Sequence, residues 1–225
     1  WLEPMRREAL PDHCWPGVVR DWAQTSGTTA GDKYVPVSKD LLRHNFRSAL
    51  DIYAHALRRG VRLPDLFGGK IMFLGGSTDL AENERGVRTG DLSGIVTQLI
   101  RWPLSSVYLP GKKVALMSDW TQKIEAMAQG AVDADVRALS GMPSWTTVLF
   151  ERVLELARER GRKAECIRDV WPNFNLFIHG GTRYAPFDAK VRALWSAGSD
   201  DIPNRLEVYA ASEAFVAVQD EPGEP

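Results

Sequence analysis

The residues best equipped for chemistry stand early in the chain, in T-S-G-T-T-A-G-D-K, Thr25 to Lys33. Thr25, Ser26, Thr28 and Thr29 carry hydroxyl donors. Gly27 and Gly31 let backbone N–H groups converge on a small anion, and Lys33 adds a positive charge. That set suits phosphate oxygens. The same residue types also make an ordinary hairpin turn exposed to water, so composition alone leaves both readings open. A Walker-type loop is excluded: three residues separate the two glycines instead of four, and Lys33 neither follows Gly31 directly nor precedes Ser or Thr.

Other candidates carry weaker signals. His179 precedes Gly180-Gly181 at a strand end, where a lone histidine is more often structural than catalytic, and it receives no proton-transfer role. Trp102, Met142 and Trp145 suit an acyl pocket, but such side chains serve a core more often. Asp200-Asp201 and Glu82-Asn83-Glu84-Arg85 read as solvated turns, without flanking His or Cys ligands. The run R-E-R-G-R-K, Arg158 to Lys163, ends a helix and suits its dipole better than it suits nucleic acid. Neither Gly-x-Ser-x-Gly nor His-Glu-x-x-His occurs, which leaves hydrolases of those kinds without support.

The elements that must position these residues follow from local patterns. Val18 to Gln24 reads as a strand entering the loop and Tyr34 to Val37 as a strand leaving it, with Pro36 demanding an edge or a break in pairing. Ser38 is placed to cap a helix over Lys39 to Arg59 that Gly60 closes. Its apolar stripe, Leu41, Leu42, Phe46, Ala49, Leu50, Tyr53 and Leu57, is expected to pack behind the loop. Lys70 to Leu74 reads as a buried strand before Gly75-Gly76. Helices are predicted over Ser93 to Arg101, over Trp120 to Gln129 after an Asp119 cap, and from Pro143 to Arg160 before Gly161, with a strand at Asp135 to Leu139. Strands at Asn175 to His179, Leu206 to Ala210 and Phe215 to Gln219 and a helix over Pro186 to Trp195 complete an α/β pattern with mixed sheet.

Composition narrows the class. The 225 residues are 44% hydrophobic and 25% charged, enough for a sizeable core in one large domain. With 28 basic and 29 acidic residues, no sequence-wide attraction to nucleic acid or to an anionic membrane is expected, so any anion must be bound locally. Cys14 and Cys166 stand far apart, which fits a reducing cytoplasm and neither a zinc site nor a disulfide framework. No apolar run approaches the ~20 residues of a transmembrane helix, and the first residues carry no signal-peptide pattern. Oligomeric state has no signature. The absence of an initiator Met and the polar close Q-D-E-P-G-E-P read as those of a fragment.

T-S-G-T-T-x-G-x-K resembles the phosphate loop of the adenylate-forming superfamily, and two further segments follow in the expected order. F-N-L-F-I-H-G-G-T-R-Y-A-P-F, Phe174 to Phe187, is similar to the segment that presents a glycine pair to adenine; V-Y-A-A-S-E-A-F, Val208 to Phe215, is similar to the Y-G-x-[ST]-E-G motif. Within the superfamily, the phrases T-S-G-T-T-A-G-D-K-Y-V-P-V-S, G-M-P-S-W-T-T-V-L-F-E-R-V-L-E-L and F-I-H-G-G-T-R-Y-A-P-F most resemble the Gretchen Hagen auxin-responsive promoter family of acyl acid amido synthetases, in a bacterial-type member.

The resemblance implies part of the large N-terminal domain of a firefly luciferase-like enzyme. On that expectation residues 1–225 are an incomplete adenylation domain and the small C-terminal domain is absent from the chain, which alone is then inactive. It implies ATP and Mg2+ as cofactors. A carboxylic acid would be adenylated and its acyl group passed to an amine, an amino acid in the first instance; coenzyme A as acceptor, or a nucleotide-binding module without turnover, are the alternatives. Ser26, Thr28 and Thr29 would hold phosphate within the Thr25–Gly31 loop, Thr28 and Lys33 would be the catalytic pair, and Glu213 would hold the metal. Gly180, Gly181, Thr182, Tyr209, Ala210 and Ser212 would surround adenine. Ala210 and Ala214 depart from glycines common in the superfamily and would reshape the backbone around Glu213.

Overall fold

The computed structural model describes residues 2–26, 32–76, 80–102 and 104–221. The chain opens with α1 (Glu3–Glu8) and the strands β1 (Asp21–Ser26) and β2 (Asp32–Pro36), followed by α2 (Lys39–Arg58), α3 (Leu63–Phe67) and β3 (Lys70–Leu74). The middle holds β4 (Ala81–Glu82), β5 (Arg88–Gly90), α4 (Leu92–Leu99), α5 (Leu104–Val107), β6 (Tyr108–Leu109), α6 (Lys112–Ala115) and α7 (Trp120–Ala131). Then come β7 (Val136–Gly141), α8 (Pro143–Glu159), α9 (Ile167–Val170), β8 (Leu176–Gly180), a single 3-10 turn, α10 (Asp188–Ser196), β9 (Arg205–Ala210) and β10 (Phe215–Val218).

Two mixed sheets result, as the α/β pattern predicts. The smaller runs β2-β1-β5-β4, with β1 antiparallel to β2 and parallel to β5. The larger runs β10-β9-β8-β7-β3-β6, parallel throughout except for the antiparallel edge β10. β8 shows why its strand reads as a continuous apolar run: it is buried on both faces. Leu176 and Ile178 join Ala138, Leu206, Ala56 and Leu66 on one face, whereas Phe177 joins Leu139, Phe150, Trp171 and Val191 on the other.

Local signals hold where the chemistry is local. The Ser38 hydroxyl accepts from the Leu41 N–H at 3.2 Å and the Asp119 carboxylate from the Gln122 N–H at 2.8 Å, each satisfying an otherwise orphaned helix donor. Arg158 in the last turn of α8 and Arg162 just after it donate to carbonyls of Ala164 and Val132, so the basic run fastens a helix end.

Two expectations are corrected. The first strand begins at Asp21 instead of Val18, because pairing with β5 begins where Asp21 meets Arg88; Val19 instead packs with Met5, Trp22 and Val87. The stripe of α2 does not bury as a unit. Leu41 and Leu42 pack near Ala23, Val35 and Ile95, but Phe46, Leu50 and Leu57 are exposed, and the larger sheet is met by Ile52 and Ala56. Among the described residues, no helix is long and apolar enough to cross a membrane.

Candidate active site

In the larger sheet the parallel strands β3, β7 and β8 all end on or before glycine, at Gly75, Gly141 and Gly180. Ligands of open α/β sheets gather at this carboxyl edge. At Gly180 the reason for glycine is close approach: a Cβ there would lie 2.1 Å from the Val208 carbonyl oxygen. Gly181 has φ +78°, and a Cβ on it would stand 3.1 Å from the Met142 Sδ. The turn therefore sits directly on β9 and on the start of α8.

Gly181 and Thr182 share a groove of about 580 Å³ with Tyr209 and Ala210, on the β9–β10 hairpin. Tyr209, which lines it, is 62% exposed. The hairpin turn holds Ser212, half-buried, and Glu213, exposed, and is closed by the Ala211 N–H donating to the Ala214 carbonyl at 2.9 Å. Ala210 ends β9 opposite Phe215, and the register of β10 shifts between Phe215 and Ala217.

An ion pair links the smaller sheet to this hairpin. Lys33 Nζ donates to the Glu213 carboxylate, which the ammonium holds below the usual carboxylate range and therefore ionised. Thr25 stands directly across β1–β2 from Lys33, so the residue entering the loop and the one leaving it share a sheet position. Ser26 ends β1; Gly27, Thr28, Thr29 and Gly31 lie outside the described residues. The α2 helix braces the junction: His44 Nε2 lies 3.1 Å from the Phe215 carbonyl, and Arg59 donates to the carbonyls of Arg205, Gln219 and Asp220 at 2.9 to 3.0 Å.

Among the described residues no group of three or more His, Cys, Asp or Glu gathers to build a metal cage. A single ionised and accessible carboxylate, Glu213, is a donor set that fits a hard cation held mainly by phosphates, as Mg2+ is. The groove, with glycine backbone on one side and the Tyr209 ring on another, fits a flat base.

A profile of the GH3 family N-terminal domain matches residues 78–198, more than half of the chain. The chain belongs to the GH3 family. Its fold is similar to that of the AtGH3.15 acyl acid amido synthetase in complex with 2,4-DB, with a TM-score of 0.66 at 12% identity over 89% of this chain. A second solved structure, a GH3.15 acyl acid amido synthetase, gives 0.61 at 17% identity over 91%. This GH3 chain spans 42% of the length of each. A search of curated proteins finds no match.

Of the weaker candidates, Trp102 is 82% exposed and Trp145 packs on Trp120 at 4.7 Å between ring centroids, while Met142 lies under Gly181. Asp201 is tied to Arg192 and Arg205. Sequence reasoning passed over Lys123, which is buried with Nζ donating to the carbonyls of Gly75, Gly76 and Ala115 at 2.6 to 3.1 Å, fixing the end of β3. Its signal was available: Lys123 stands in helical phase with buried Met127 and Ala131.

Proposed function

We propose that this GH3 chain is part of the N-terminal adenylation domain of an acyl acid amido synthetase. In such an enzyme a carboxylate attacks the α-phosphate of ATP to give an acyl-adenylate and pyrophosphate, and an amine, an amino acid in the first instance, then takes the acyl group and displaces AMP. The observation that carries the reading is convergence: Lys33 from the loop-exit strand, the Gly180–Thr182 turn and the Tyr209–Glu213 segment, far apart in sequence, meet on one hairpin.

The charges give the chain's own residues their work. With no nucleotide, Lys33 and Glu213 neutralise each other. When phosphates arrive, Lys33 exchanges the carboxylate for a phosphoryl oxygen, alongside the donors of Thr25, Ser26, Gly27, Thr28, Thr29 and Gly31, and Glu213 is released to hold the cation. Mg2+ bound there would neutralise phosphate charge while the substrate's carboxylate displaces pyrophosphate from the α-phosphorus. Gly180, Gly181 and Thr182 present backbone to the adenine edge, Tyr209 covers its face, and Ala210 and Ser212 shape the floor.

The test is carboxylate-dependent ATP–pyrophosphate exchange by the native-length product, screened over aryl, indolic and fatty acids. Exchange with one acid class supports adenylation and identifies that class, after which amino acids and coenzyme A supplied separately to the acyl-adenylate identify the acceptor. ATP binding without exchange for any acid would replace this proposal with a nucleotide-binding module.

A further inference from the structure

The residue before the glycine pair has no part in the chemistry above, yet its surroundings are the most built-up on β8. His179 is 1% exposed. Its ring stacks on Tyr184 with centroids 4.4 Å apart and planes at 27°, and Arg205 lies with its guanidinium 4.0 Å over the Tyr184 ring and Nη1 3.5 Å from His179 Nε2. Asp201 accepts from Arg205 at 3.2 Å and holds it in place. Arginine is a cation at every working pH, so His179 Nε2 faces it as an acceptor and the imidazole is neutral. His179 enters the Gly180–Arg183 turn and Tyr184 leaves it; the stack joins the two ends.

We infer that the His179–Tyr184 stack, oriented by Arg205, staples the Gly180–Arg183 turn into the shape that receives the nucleotide base, making His179 a positioning residue for ATP. The inference rests on the proposed function for the base-binding role alone; the stapling of the turn is independent of it. Without the staple, Gly181 at positive φ rests on Met142 and Thr182 is exposed, while the β8–β9 ladder stops at Gly180. Backbone disorder there would have to be removed each time a base bound, which weakens binding without changing the reacting groups.

Four variants test this: His179→Ala and Tyr184→Ala remove the stack, His179→Phe keeps a ring, and Tyr184→Phe removes only an Oη that has no hydrogen-bond partner among the described residues. Amide hydrogen exchange at Gly180 to Arg183 without nucleotide is expected to quicken at least tenfold in the two Ala variants at matched global stability, and to be restored by the aromatic ones. In turnover the Ala variants raise KM for ATP and keep kcat. Unchanged exchange at these amides in both Ala variants overturns the inference, as does equal damage by Tyr184→Phe. Should the turn loosen as expected while the parent protein binds no ATP, the stapling stands and the base-binding reading falls.

Discussion

Lys33, on the strand that follows the Thr25–Gly31 segment, donates to the carboxylate of Glu213, 180 residues further along the chain. The two side chains are 58% and 48% exposed, so water competes for both and the pair contributes no more than about 1 kcal/mol to folding. On the proposed function their value lies in the ligand. A charge-assisted contact to phosphate or its cation is worth about 1.5 to 3 kcal/mol, a tenfold change in affinity or more. Lys33→Ala and Glu213→Ala are therefore expected to leave the urea midpoint almost unmoved and to weaken Mg-ATP binding at least about tenfold each. Calorimetric titration checks the affinity; a variant that binds normally removes its residue from the site.

His179 makes a separate prediction about pH. Burial pushes its pKa down to about 3, with the Arg205 cation adding to the effect, while Tyr184 on its other flank is pushed up to about 12 by its own burial and stays a neutral phenol. The unfolded chain gains a proton below about pH 6.5 and the folded one does not until about 3. The contribution of His179 to stability is thus fully present above about 6.5 and is lost as pH falls, at about 1.4 kcal/mol per pH unit. Urea unfolding from pH 7.5 to 4.5 should show this slope in the parent protein and lose it in His179→Phe. Parallel slopes would assign the acid sensitivity to carboxylates.

The two glycines after it should differ in cost. Gly180→Ala sets a methyl 2.1 Å from the Val208 carbonyl, a backbone atom in register with Gly180, so the β8–β9 ladder must open; about 3 kcal/mol or loss of folding is expected. Gly181→Ala meets only the flexible end of Met142 and carries the left-handed backbone cost of about 1 to 2 kcal/mol. Thermal unfolding that ranks the pair the other way would mean the turn has another geometry.

What was legible in the sequence was local. Ser38, Asp119 and Pro143 act through their own backbone neighbours, so the helices they begin were readable. β4, β5 and β6 were not, since strands of two or three residues exist only because of their partners. The segments carrying Lys33, Gly180 and Glu213 were each visible, and the family resemblance gave Lys33 and Glu213 separate roles at one nucleotide, but that the two side chains pair with each other is a tertiary fact that neither resemblance nor periodicity supplied. Lys123 shows the converse: a charged residue inside a helical apolar face reads as an exception until its acceptors are seen.

Those acceptors make Lys123 testable. Its ammonium is buried, which lowers its pKa, and three carbonyls at the end of β3 and in α6 take its protons. Lys123→Met keeps the length and removes every donor, leaving three oxygens to find other partners. A loss of about 3 kcal/mol in urea unfolding is expected, with the Gly75-Gly76 amides exchanging faster than the rest of the sheet. A neutral substitution would mean that the methionine's packing compensates fully and that β3 needs no clamp.

The helix after the loop gives the last prediction, because periodicity finds an apolar stripe without saying what covers it. Phe46, Leu50 and Leu57 lie at 61%, 53% and 43% exposure, and Ala56, at 1%, meets the sheet. Phe46→Glu and Leu50→Glu should therefore change the stability of this chain by no more than about 0.5 kcal/mol. Ala56→Glu buries an unpaired carboxylate against Leu176 and Leu206 and should cost several times more. If the glutamates at 46 and 50 prove as damaging as the one at 56, the stripe is covered in solution, by a second copy if the loss depends on protein concentration.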